Sequence, residues 1–134
     1  MSETSTSEAT TDRQGLTAVV VSDDIHLRAE VEYGFPSNVE VVVVDDARGA
    51  YELMRQTRPD VAVVDLQMGN AGGYGLRRDM LADDRLRDVP VLMLIERPQD
   101  KWLAEQAGAT QIAIKPVEVA ELAQHALHLA APRL

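Results

Sequence analysis

Five short apolar runs punctuate this chain: 16–21, 39–44, 61–65, 89–95 and 111–114. The stretch after each carries apolar residues at helical spacing. The run from Val39 to Val44 is aliphatic apart from Glu40. Side chains on both faces of such a strand need cover, and a parallel sheet between helices supplies it. The links between runs are too long for hairpins and long enough for right-handed crossovers. Sequence periodicity therefore places the chain in the three-layer α/β class, with no internal repeat and no second domain.

The boundaries follow from local chemistry. A first helix over Ile25 to Gly34 puts Leu27, Val31 and Tyr33 on one side, with Gly34 as its stop. Asp45 or Asp46 caps the second, where Ala50, Leu53, Met54 and Thr57 recur, and Arg58-Pro59 ends it. Gly69 to Gly73 reads as a loop, and Tyr74 to Leu81 as a helix. Pro98 suits the first position of a helix running from Gln99 to Ala107, which Gly108 terminates. A last helix spans Val117 to Ala130.

A length of 134 residues suits one domain, and the absence of cysteine excludes disulfides, thiolate metal sites and cysteine catalysis. The net charge of -9, with Arg77-Arg78 as the densest basic point, argues against a nucleic-acid partner through a broad basic surface. No apolar run is long enough for membrane insertion, and the first residues lack the pattern of a secretory signal. Residues 1–15, rich in Ser and Thr, are expected to form a disordered tail before a domain over 16–134, and the expected location is the cytoplasm.

The chemistry sits at the strand ends. Asp23 and Asp24 follow the first strand, Asp65 closes the third, and Lys115 follows the fifth. In an open α/β sheet these positions converge on one crevice. Carboxylates brought together repel, and a hard divalent cation with its own waters relieves that cost. A lysine opposite would pair with a phosphoryl group. A small Mg²⁺ and phosphate site is the physical expectation. Whether Asp65 is itself phosphorylated or only holds metal stays open on these grounds.

In order and at spacing, Asp23-Asp24, Asp65 with Leu66-Gln67-Met68, Gly108-Ala109 and Lys115-Pro116 resemble the CheY-like receiver domains of two-component signalling. The likeness runs from Leu16 to Ala130. It implies a flavodoxin-like α/β/α sandwich with a five-stranded parallel sheet of order 2-1-3-4-5. Asp65 would be the phosphoacceptor and Lys115 would bind the phosphoryl oxygens. Asp24, Asp65 and the Gln67 backbone carbonyl would hold Mg²⁺ or Mn²⁺, with Asp23 reaching it mainly through water. The Lys115-Pro116 bond would be cis.

The implied role is a stand-alone response regulator, a monomer or weak homodimer. It would receive its phosphoryl group from a sensor histidine kinase or phosphotransfer protein and signal to a downstream protein. It would not be a conventional enzyme, at most catalysing Mg²⁺-dependent gain and loss of phosphate at Asp65. The chain departs from the family at Ile95, where a hydroxyl is usual, at Glu96, usually small, at Ile112, usually aromatic, and at Gly69 and Gly72. These departures motivate a second reading, a phosphorylation-independent pseudo-receiver that serves as an adaptor or scaffold.

Other candidates read more plainly. His26 is expected to face solvent in a first helical turn, and His125 and His128, three apart, to serve a helix end. Trp102 would either anchor a contact or cover the sheet, and Tyr51 and Tyr74 would pack on helix faces. The glycines at 69, 72 and 73 lack the spacing of a nucleotide-binding loop.

Overall fold

The computed structural model describes residues 15–68 and 72–130. Except for Gly15, the expected tail lies outside the described residues, as does Gly69. Strands and helices alternate as β1 (Thr17–Val21), α1 (Ile25–Gly34), β2 (Glu40–Val44), α2 (Ala47–Thr57), β3 (Val61–Asp65), α3 (Gly72–Leu81) and β4 (Val91–Ile95). A 3₁₀ turn (Pro98–Asp100), α4 (Lys101–Ala107), β5 (Gln111–Ile114) and α5 (Val119–Ala130) complete the order. The five strands pair in parallel in the order β2-β1-β3-β4-β5, a three-layer α/β/α sandwich.

Strand pleating divides the aliphatic residues between two cores. Val19, Val21, Ala62, Val64, Met93 and Ile95 face Ala50 and Met54 of α2, Leu76 and Met80 of α3, and Ala104 of α4. Ala18, Val20, Val63, Leu92 and Leu94 face Leu27 and Val31 of α1 and Leu122 and Ala126 of α5. Burying both faces accounts for runs without polar interruption in β3 and β4. The peptide bond between Lys115 and Pro116 is cis.

Local chemistry moves several expected boundaries. Asp46, not Asp45, caps α2 by accepting from the Gly49 N–H at 2.9 Å. Val89 and Pro90 stand before β4, where the Pro90 carbonyl accepts from Ala62 at 3.0 Å. Pro98 and Gln99 form the 3₁₀ turn, and α4 begins only at Lys101. Tyr33 is 88% exposed and takes no part in the buried side of α1.

Gly72 and Gly73 belong to α3 rather than to the loop before it. Gly72 has a φ of +40°, in the left-handed region that favours glycine. A Cβ on Gly73 would lie 2.6 Å from the Asp65 carbonyl oxygen and 3.0 Å from the Leu66 Cα. The first turn of α3 thus lies on the backbone of the strand end that bears Asp65. Farther along α3, the buried Arg77 donates to the carbonyls of Gly108 at 2.9 Å and Val89 at 3.3 Å, fastening the helix to the segments that lead into β5 and β4.

Candidate functional site

Asp65 ends β3 between β1 and β4, the two central neighbours, and is only 2% exposed. Its Oδ2 receives the Lys115 ammonium at 2.8 Å and the Ser22 hydroxyl at 3.0 Å. Its Oδ1 accepts from the Gln67 backbone N–H at 3.1 Å. A buried carboxylate without such partners would be severely destabilising. Lys115 follows β5, and its own N–H is fixed to the Ile95 carbonyl of the neighbouring strand at 2.7 Å.

The ammonium also lies 3.4 Å from Asp24 Oδ2 and 3.8 Å from Glu96 Oε2. Burial alone would lower the Lys115 pKa. The hydrogen bond and charge of Asp65, followed by the charge of Asp24, outweigh it and raise the pKa above the usual lysine value. Asp24 caps α1: its Oδ1 accepts from His26 at 3.0 Å and Leu27 at 3.2 Å. The Leu27 N–H, with Lys115 and the His26 N–H, outweighs partial burial and holds its carboxyl below the usual value.

The structure therefore brings Asp24, Asp65 and Lys115 together. Asp23 is exposed and lines a separate cleft with Asp45, Asp46 and Asp79. Among the described residues, no group of three or more His, Cys, Asp or Glu side chains is arranged to hold a metal ion. A single ammonium nevertheless faces three carboxylates, those of Asp24, Asp65 and Glu96, and the surplus negative charge favours a cation. Mg²⁺ bound through one or two carboxylates and its own waters needs no full cage, so the donor set fits a largely hydrated ion.

Two contributors, Ser22 and Asp100, escaped the sequence reading. Ser22 is fully buried and links the two acidic residues, donating to Asp65 while accepting from the Asp24 N–H at 3.0 Å. The only sequence signal was its position, one residue past β1. Asp100, 7% exposed, accepts from the Gln67 side-chain amide at 3.1 Å. Glu96, singled out in the sequence as a departure from the family, stands 3.8 Å from the Lys115 ammonium.

Other expected groups lie elsewhere. Ile95 is fully buried in the core beneath α3 and α4, and Ile112 packs, half-buried, against that same core. His26 is exposed in the first turn of α1. His125 meets Gln111 at 2.9 Å and stands 3.7 Å from Glu121, while His128 is exposed in the last turn of α5. Tyr51 donates to Asp83 at 2.9 Å, and Tyr74 is partly exposed beside Leu103. Trp102, 67% exposed on α4, does not cover the sheet. No helix among the described residues is long and apolar enough to cross a membrane.

The chain is similar to known proteins in sequence and in fold. The heme response regulator HssR of Staphylococcus saprophyticus is 32% identical over 109 residues, covering 79% of this chain and 47% of that protein. The chain spans about half the length of the curated relatives it matches. The chemotaxis response regulator CheY4 of Vibrio cholerae has the same fold, with a TM-score of 0.77 at 24% identity over 85% of this chain and 98% of that one. So does the receiver domain of a sensor histidine kinase from Pseudomonas aeruginosa PAO1, solved with a magnesium ion coordinated in its active site cleft. Its TM-score is 0.77 at 24% identity, over 86% of this chain and 97% of that one. The family model of the response regulator receiver domain matches residues 18–127, and the chain belongs to that family.

Proposed function

We propose that Asp65 accepts a phosphoryl group from the phosphohistidine of a sensor histidine kinase or phosphotransfer protein and passes the signal on through protein contacts. The observation that carries this reading is the Lys115 ammonium 2.8 Å from the carboxylate at the end of β3. An Asp65 oxygen attacks phosphorus, an acyl phosphate P–O bond forms, and the P–N bond breaks with its electron pair left on the imidazole. Lys115 then pairs with the transferred phosphoryl oxygens, and alignment with charge neutralisation is most of what the step requires. Water later attacks phosphorus, releases inorganic phosphate and restores the carboxylate. Asp24, Asp65 and the Gln67 backbone carbonyl would hold Mg²⁺ or Mn²⁺, with Asp23 reaching it mainly through water, and the ion when bound supplies further positive charge to the phosphoryl oxygens.

The test is intact mass after incubation with acetyl phosphate and Mg²⁺, where acetate is the leaving group. The expected result is a gain of one phosphoryl mass that Asp65→Asn abolishes. No gain in the wild type, with the adduct trapped against hydrolysis, would overturn the reading.

A second reading is a phosphorylation-independent adaptor. The burial of Ile95, which offers no hydroxyl to a phosphoryl group, favours it. Under that reading a partner captured by the wild type binds Asp65→Asn equally well, whereas under the first its binding changes.

A further inference from the structure

Asp100 precedes α4, where an aspartate ordinarily accepts a hydrogen bond from the helix's own first N–H groups. It makes no such bond. Its nearly buried carboxylate is instead held by Arg97, through Nη2 at 3.0 Å and Nε at 3.3 Å, and receives the Gln67 amide nitrogen at 3.1 Å. Gln67 is exposed at its other surfaces, and its backbone N–H is bound to Asp65 Oδ1. One residue therefore touches the acceptor carboxylate with its main chain and the start of α4 with its side chain. Trp102 and Leu103 follow in the first turn of that helix, both exposed.

We propose that Gln67 and Asp100 couple Asp65 to the first turn of α4, so that a change of charge at Asp65 is felt at residues 100–103. Asp100 is a positioning residue in this scheme, acting on the acceptor through Gln67. The purpose of the coupling rests on Asp65 being a phosphoryl acceptor. The hydrogen-bonded chain itself carries any change in the Asp65 charge. It supplies a route from the site that needs neither a hydroxyl at Ile95 nor an aromatic ring at Ile112. Coupling of this kind is reciprocal, so a change at Asp100 must also be felt at Asp65.

The experiment compares backbone amide spectra of the full chain. Asp65→Asn should shift the amides of Gln67 and of residues 100–103. In a Gln67→Ala background the same substitution should leave residues 100–103 no more shifted than the middle of α5. Asp100→Ala should shift the Gln67 N–H, while Asp100→Asn, which keeps a carbonyl oxygen for the Gln67 amide, should shift it less. Another route runs from Asp65 through Lys115 to Glu96, one residue before Arg97, and Gln67→Ala leaves it intact. Shifts at residues 100–103 that persist in Gln67→Ala would assign the coupling to that route and overturn the proposal. So would their absence in Asp65→Asn itself. No arm needs a phosphoryl donor, so a failed mass test would sink the acceptor reading without deciding this one.

Discussion

Lys115 is the sole cation within ion-pair distance of Asp65 among the described residues, and pairing outweighs burial in setting its proton affinity. Lys115→Met keeps the length of the side chain and removes its charge, leaving Asp65 with Ser22 and the Gln67 N–H. The expected loss is about 2 kcal/mol, read by urea unfolding near neutral pH. Because the folded-state pKa is raised, this stabilisation is fully present below the unfolded lysine value of about 10.4. It disappears as pH rises through the folded value. The methionine variant should lack that alkaline loss, and an equal loss in both proteins would refute the assignment. Asp24 has the opposite sign. Its lowered pKa contributes stability above the usual carboxylate value of about 3.9, lost as pH falls through the folded one. Asp24→Asn retains a good helix cap, so thermal melts should show a shallower acid limb with little change at neutral pH.

At the scale of elements, α3 approaches the strand end of Asp65 so closely that only glycine fits between them. Gly73→Ala would improve helix propensity by about 1 kcal/mol in isolation. Here the new methyl would meet the Asp65 carbonyl oxygen at 2.6 Å, a backbone atom fixed in the central strand. The helix must move instead, and overpacking of this kind costs about 1–3 kcal/mol. Calorimetry should therefore find Gly73→Ala less stable than the wild type, and a rise in melting temperature would contradict the packing. The five strands were legible because β-branched runs of that length have few other uses. The role of Gly72 and Gly73 was not, because glycine marks a flexible loop and a close approach with the same letter. Asp65 and Lys115 were legible from their positions after strands. Ser22 and Asp100 were not, because a hydroxyl past one strand and an aspartate before a helix have common local roles that only the partner across space overrides.

For the molecule as a whole, the question is how far an event at Asp65 travels. Ligation moves a two-state equilibrium only through contacts that differ between the states. Ile95 is sealed in the core and Ile112 packs against that core, so neither offers a polar group whose partner changes when Asp65 is modified. The polar connections leading from Asp65 run instead to Ser22 and the cap of α1, to Lys115 with Glu96, and through Gln67 to Asp100. Beryllium fluoride with Mg²⁺, a non-hydrolysed phosphoryl mimic, should therefore shift amides at residues 22–24, 65–67, 96–103 and 115. The middle of α5, from Leu122 to Leu129, should remain within the scatter of untouched positions, since it meets the sheet through apolar packing and through the His125–Gln111 contact at the start of β5, the end away from Lys115. A response concentrated in α5 would mean that the signal crosses the apolar core of the sheet, and that the hydrogen-bonded routes are not the ones the protein uses.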